Sequence, residues 1–350
     1  MSGAPGPVIT WPDVLTALVG GQELSAEQAG WAMDRVFSGD ATPSQVAGFV
    51  VGLRAKGETV REVHALADVM LAHAHRIPTP PDSIDIVGTG GDRAHTVNIS
   101  TMSALVLAGA GLRVLKHGNG AASSSSGSAD VLEALGVELG LSPERVAAVG
   151  EAAGITFCFA QAFHPAMRHA APTRRELGIG TIFNSLGPLT NPGQPTYAAV
   201  GVAETRVADL IAGVFAARGR PAIVFRGDDG LDELTLSGPS HLWWVSQGII
   251  TRYVIAPGDF GLALAPIEAL RGGDPAHNAE VVRELLAGRG AREQWAVRDA
   301  VLLNAGAALA LARGGVSAAA DPPSITAAIR SGIAQARESI DSGEAAACLD

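Results

Sequence analysis

The chain reads as an α/β protein in which a small all-helical N-terminal segment precedes a larger region with a mostly parallel central sheet. Three observations carry this reading. Apolar residues recur at helical spacing from Trp11 to His75, with no strand-like run among them. From residue 82 onward, short β-branched runs alternate with glycine-rich turns and helical stretches, the pattern of a parallel sheet covered on both faces. The 350 residues are 47% hydrophobic and 17% charged, enough for one large α/β domain and a smaller companion.

In the first segment, Val14, Leu15 and Leu18 share one face. Ala29, Met33, Val36 and Phe37 form a second stripe, and Val46, Val50 and Leu53 a third. Ser25 with Gln28 three residues on suits a capping box, and Thr42 before Pro43 suits an N-cap with proline in the first turn. Residues 78–81 contain three prolines and form a natural linker to a second segment, 82–350. There Asp85-Ile86-Val87 is a short strand and 100–110 a small apolar helix. Strands follow at 112–115, 156–159, 198–202 and 222–225, with helices at 129–135 and 206–217. Residues 237–254 read as an antiparallel excursion turning near Gln247-Gly248, 297–313 as a buried helix, and 317–350 as one helix with an acidic end. In such sheets ligands sit beyond the carboxyl ends of the strands, where the glycine-rich turns fall.

The bulk numbers also exclude. A net charge of −10 argues against nucleic-acid binding, which needs a broad basic surface. The longest apolar stretches are broken by Gly, Arg or His before membrane-spanning length, and the N-terminal residues lack a charged region followed by an apolar one. Two isolated cysteines, Cys158 and Cys348, make neither a disulfide framework nor a zinc site; Cys158 lies in an apolar run and reads as a core thiol. A reduced cytoplasm is the expected location.

Four clusters carry chemistry. Gly88-Thr89-Gly90-Gly91-Asp92 leaves a strand and is followed by Thr96, Asn98, Ser100 and Thr101 at a helix start, offering an anion hydroxyls and backbone amides. It has neither the Walker lysine nor dinucleotide-binding spacing, and a tight turn without chemistry is the alternative. Lys116-His117-Gly118-Asn119-Gly120 runs into a serine-rich tract ending at Ser128, with Asp130 and Glu133 as a capping box for the next helix. Lying inside an α/β unit, it reads as a substrate-covering loop in preference to a linker, and Lys116 is a point charge suited to phosphate. Asp228, Asp229, Asp232 and Glu233 gather at a strand end; they suit Mg²⁺ held jointly with phosphates, or else a polar surface turn. Last, Phe163-His164-Pro165-Ala166-Met167-Arg168-His169, Arg174-Arg175-Glu176 and Asn184 to Pro192 follow one another. An arginine here suits an aromatic carboxylate, or equally a surface pair with Glu176.

GTGGD, NIST, KHGN, the FHPAMRHA–RREL stretch, GPLTNP and GLDELT, in this order, resemble the anthranilate phosphoribosyltransferase family over nearly the whole chain. The resemblance implies the nucleoside phosphorylase/phosphoribosyltransferase type of fold. In it a helical domain (1–77, joined by helices from about 165–190) sits beside an α/β domain (82–350), with the active site at the hinge. It implies a homodimer, Mg²⁺ as cofactor, and 5-phosphoribosyl 1-pyrophosphate and anthranilate as substrates in tryptophan biosynthesis. Carried over residue by residue, Gly88, Gly91, Asp92, Thr96, Asn98, Ile99, Ser100 and Thr101 would bind the donor. Lys116, His117, Gly118, Asn119, Ser123, Ser124 and Ser128 would close over it. Ser100, Asp232 and Glu233 would ligate the metal. Gly88, Asn119, His164, Met167 and Arg174 would meet anthranilate, and Lys116 and Asp92 would be catalytic. Rival readings are a transferase for another aromatic acid, a pyrimidine nucleoside phosphorylase, and a non-catalytic nucleic-acid-binding relative. Two positions depart from the family: it usually has Arg where Gly120 stands, and many relatives have Lys where Ser125 stands.

Overall fold

The computed structural model describes residues 8–78, 80–121, 125–288, 295–314 and 320–349. The chain opens with α1 (Trp11–Val19), α2 (Ala26–Phe37), α3 (Pro43–Lys56) and α4 (Val60–Ala72). Each starts on a hydroxyl cap, Thr10, Ser25, Thr42 or Thr59, answered by the side chain three residues on. Glu62 does more than cap α4. Its buried carboxylate accepts from Leu24 N at 2.8 Å and from Lys56 Nζ at 2.9 Å, which ties α4 to α3 and to the lead-in of α2.

Beyond the linker, of which residue 79 lies outside the described residues, come β1 (Ser83–Gly88), α5 (Ile99–Gly109), β2 (Arg113–Gly118), α6 (Ser128–Ala134), α7 (Pro143–Ala153) and β3 (Ile155–Phe159). Short helices α8 (Ala160–Phe163), α9 (Ala171–Leu177) and α10 (Phe183–Leu186) lead to β4 (Tyr197–Gly201), α11 (Thr205–Ala217) and β5 (Ala222–Gly227). The hairpin β6 (Ser240–Ser246) and β7 (Ile249–Ile255) follows, then α12 (Pro275–Leu286), α13 (Trp295–Arg313), α14 (Pro322–Asp341) and α15 (Glu344–Ala347). Gln247 and Gly248, both left-handed, make the expected hairpin turn.

The sheet runs β3-β2-β1-β4-β5-β6-β7, parallel through β5 and antiparallel beyond. The chain builds outward from β1 to β3 on one side, then returns to place β4 against the other side of β1. A crevice therefore opens at the carboxyl ends of β1, β2 and β4. One sheet face is covered by α5 and α13, with α14 packed against both helices. The other is covered by α11, whose core is continuous with that of the N-terminal helices through Leu66, Phe49, Phe183 and Val200. The helical segment and the sheet thus share apolar packing.

Several expectations need correction. Strand β2 runs on to Gly118, so Lys116 and His117 are ladder residues paired with Phe157 and Cys158. The expected Asp130–Glu133 box is not formed. Gly127 caps α6, and the Asp130 carboxylate accepts from Gly127 N and Ala121 N, both at 2.7 Å, tying the loop's two ends together. Helix α13 is, at 19 residues and mean hydropathy 1.3, long and apolar enough to cross a membrane, contrary to the sequence reading; 78% of that stretch is buried between α5, α14 and the sheet. The acidic tail ends in α15, packed so closely on α5 that a Cβ at Gly109 would strike the Ala345 backbone. Cys158 is a buried core thiol, and burial pushes its pKa far up.

Candidate active site

A cleft of about 280 Å³ opens at the ends of β1 and β2. Its first wall is the loop after β1, whose backbone is left-handed at Gly90, Gly91, Arg93 and His95. That path is held from outside the loop: His95 O accepts from Gly272 N at 2.8 Å, Leu270 O accepts from Val97 N at 2.9 Å, and Thr96 bridges to Arg271. Two glycines let Asp232 reach this loop. A Cβ at Gly88 would fall on the Asp232 carboxylate, and one at Gly201 on its carbonyl oxygen. Asp232 Oδ2 accordingly accepts from Gly90 N at 2.7 Å.

The floor is electrostatically tight. Lys116, 3% exposed, donates to Ile86 O at 2.7 Å and to Ser100 Oγ at 3.2 Å. Burial lowers its pKa, and the carboxylates of Asp85 and Glu233 partly restore it. Glu233 lies at the N-terminus of α5, accepting from the Ser100 amide. Burial and then the repulsion of Asp232 still raise its pKa well above the usual range. Burial, with Asp92 close by, raises Asp232 as well. Three carboxylates thus converge with one ammonium, a charge imbalance that a divalent cation relieves. Among the described residues no group of three His, Cys, Asp or Glu side chains is placed to hold a metal alone. Asp232, Glu233 and the Ser100 hydroxyl fit Mg²⁺ only as a partial set, completed by ligand oxygens. The four-carboxylate cluster expected from sequence divides: Asp228 turns out to His241 at 2.7 Å, and Asp229 to the hydroxyls of Thr235 and Ser237.

Beneath Lys116, the buried Asp85 carboxylate accepts from His117 N at 3.1 Å and from Asn191 Nδ2 at 2.8 Å; Asn191 Nδ2 also donates to Leu115 O at 2.7 Å. The GPLTNP segment therefore fixes the end of β2 from below. Burial raises Asp85 to about 6. The rings of His117 and His164 lie 5.2 Å apart, tilted at 53°, and burial lowers their pKa values to about 4 and about 3, so both are neutral near pH 7.

Asn98 precedes α5 as its N-cap yet makes no cap bond. Its amide is used across the cleft: Nδ2 donates to Ser126 O at 3.1 Å, and Oδ1 accepts from Asn278 Nδ2 at 2.9 Å. Asn278, 2% exposed on α12, accepts in turn from Gly273 N at 2.8 Å. A relay of amides thus connects α12 to the serine-rich loop.

Residues 12–74 match the helical bundle domain of the glycosyl transferase family, and residues 80–346 its a/b domain. An anthranilate phosphoribosyltransferase from a Nocardioides species is 59% identical over 343 residues, 97% of each chain. One from Streptomyces griseus is 56% identical, over 97% of this chain and 94% of that one. The chain belongs to the anthranilate phosphoribosyltransferase family. The crystal structure of the Thermus thermophilus family member superposes with a TM-score of 0.87 at 41% identity, covering 96% of this chain and 97% of that one. The Saccharomyces cerevisiae member, in complex with PRPP and Mg, gives 0.86 at 27% identity, over 97% and 95%. The family and fold expected from the motifs are those found.

Of the residues carried over from that family, Gly88, Gly91, Asp92, Thr96, Asn98, Ile99, Ser100 and Thr101 line the cleft. So do Lys116, His117, Gly118, Asn119, Ser128, Asp232 and Glu233. Ser123 and Ser124 lie outside the described residues. His164, Met167 and Arg174 do not line it: His164 is buried behind His117, Met167 packs into the helical core, and Arg174 lies over the Phe183 ring at 5.2 Å. Ser126, from the loop expected to cover substrate, and Asn184, from the fourth cluster, also line it, as do Arg93 and His95, to which the sequence reading gave no site role. Gly201 and Asn278 act from behind the wall. A glycine ending a strand was a visible signal for Gly201; nothing local marks Asn278.

Proposed function

We propose that this cleft transfers phosphoribose from 5-phosphoribosyl 1-pyrophosphate to the amine of anthranilate, giving N-(5-phosphoribosyl)anthranilate and pyrophosphate. The convergence of Asp232, Glu233, Ser100 and Lys116 at the N-terminus of α5 carries the reading, because a polyanion needs that combination of metal oxygens, ammonium and helix end. Asp232, Glu233 and Ser100 would hold Mg²⁺, which when bound stabilises charge on the departing pyrophosphate. Lys116 holds a fixed positive charge under the same group. The bond forming runs from the amine nitrogen to the anomeric carbon; the bond breaking is that carbon's bond to pyrophosphate, which leaves with the electron pair. Asp92, the least buried of the three carboxylates, accepts from Ala94 N at 3.2 Å and lies against Asp232; it is placed to accept a donor hydroxyl or the amine proton as well. Gly88 and Asn119 face the acceptor side. His164, Met167 and Arg174 lie outside the cleft in this conformation, so they would meet anthranilate only if segment 165–190, with His164 beside it, moved toward it.

The two bodies that close on the cleft are the helical segment 1–77 with 165–190 and the α/β segment 82–350. A homodimer belongs to the same reading. Loss of anthranilate fluorescence on adding donor, dependent on magnesium, tests the activity. Turnover of a substituted aromatic acid without turnover of anthranilate would reassign the acceptor.

A further inference from the structure

Only two of the described cleft-lining residues are lysine or arginine, Lys116 and Arg93. Lys116 is committed: its ammonium is buried, bonded to Ile86 O and Ser100 Oγ, and compensates Asp85 and Glu233. Arg93 is the opposite case. It is exposed at the rim and pairs with no side chain or carbonyl among the described residues. Its backbone is left-handed, φ 58, and so is that of His95, φ 52. That conformation is costly for any residue with a Cβ, and here the bonds from Gly272 and Leu270 at the end of the loop impose it. Packing gives no reason for an arginine at a position glycine would fill without strain.

We propose that Arg93 is a donor-binding residue, whose guanidinium takes phosphate oxygens of the phosphoribosyl pyrophosphate at the rim of the cleft. The proposal rests on the function proposed above. It assigns to Arg93 the mobile positive charge that Gly120 and Ser125 do not supply. A planar fork of donors suits phosphate oxygens, and the contact is made without displacing any existing ion pair. Three carboxylates line the same cleft, and a cation at its rim favours the approach of a polyanion.

Arg93→Gly and Arg93→Asn test it, since both residues tolerate the left-handed backbone. The donor KM rises roughly tenfold at low salt in both, as expected for one charge-assisted phosphate contact. kcat and the anthranilate KM stay within about twofold. Arg93→Lys recovers part of the loss, and the gap narrows at high ionic strength. Arg93→Gly melts no lower than the parent, because a strained residue has been relieved, which separates binding from folding. Inhibition by inorganic pyrophosphate and by ribose 5-phosphate distinguishes the two phosphate ends: the one whose inhibition weakens in Arg93→Gly is the end that Arg93 holds. A donor KM within twofold of the parent in both variants, or unchanged inhibition by both compounds, overturns the proposal in an active chain. Absence of magnesium-dependent turnover in the parent itself would overturn the reading of the cleft, and this proposal with it.

Discussion

Asn278 sits on α12, 180 residues from Asn98 in sequence, and faces it at 2.9 Å. Asn278→Asp keeps the oxygen that accepts from Gly273 N but replaces the donor facing Asn98 with a second acceptor. The Asn98 amide must then turn over to offer the new carboxylate a donor, which puts its own oxygen against Ser126 O in place of the 3.1 Å bond. One hydrogen bond to the serine-rich loop is lost, about 1 kcal/mol, so the donor KM rises roughly fivefold from that bond alone. Stability changes less, because the new carboxylate still finds two N–H donors. Asn278→Ala behaves differently. It strands the Gly273 amide and the Asn98 oxygen in a site 2% exposed, which costs about 2–4 kcal/mol in denaturant unfolding. Steady-state donor KM and urea midpoints for both variants read the two effects separately. A donor KM within twofold of the parent in Asn278→Asp refutes the relay and leaves Asn278 a purely structural residue.

Gly120→Arg places its Cβ 3.2 Å from Asp130 Oδ1, so arginine fits after a small shift of that carboxylate. Because Asp130 competes for the guanidinium, the donor KM should fall only about two- to fivefold; an unchanged or raised value contradicts the role given to the missing charge. Gly201→Ala drives a methyl into the Asp232 carbonyl and should cut kcat at least about a hundredfold, whereas Gly238→Ala, with open space around it, should behave as the parent in the same assay. Asp85, raised by burial to about 6 from an ordinary value of 3.8, binds its proton more tightly folded than unfolded. Its contribution to stability is therefore lost as pH rises from about 4 to about 6, by about 3 kcal/mol. Relative to the parent, Asp85→Asn should gain stability across that window; parallel unfolding curves at pH 4.5 and 6.5 would show that Asp85 does not titrate there.

Local information determined most of what the sequence made legible. Hydroxyl caps at Ser25 and Thr42, the Gln247-Gly248 turn, and the β-branched runs before glycine-rich loops express short-range hydrogen bonding and backbone sterics, and they appear where expected. The donor-loop motifs were readable for a similar reason. Gly88 to Asp92 and Lys116 to Asn119 each leave one strand end, so sequence neighbours remain neighbours on the cleft wall. Tertiary structure decided what depends on distant partners. Asp228 and Asp229 have the same composition signal as Asp232 and Glu233, but a tight turn points the first two at His241, Thr235 and Ser237 and buries the second two. Asp130 is the third residue of α6 and not its cap: its carboxylate accepts from Gly127 N and also reaches across the loop to Ala121 N, a partner that local spacing does not reveal. The apolar helix α13 is a core element only because α5, α14 and the sheet surround it. Asp85, Asn191 and Asn278 hold the site through single bonds spanning 32 to 180 residues, and such bonds leave no periodicity in the chain. The sequence by itself determined the family, the strand and helix order and the phosphate-binding loops, because those are properties of contiguous residues. Which carboxylates face the cleft, which cation is buried and which is free at the rim were decided only when β4 was placed beside β1, bringing Gly201 and Asp232 against the loop that carries Arg93.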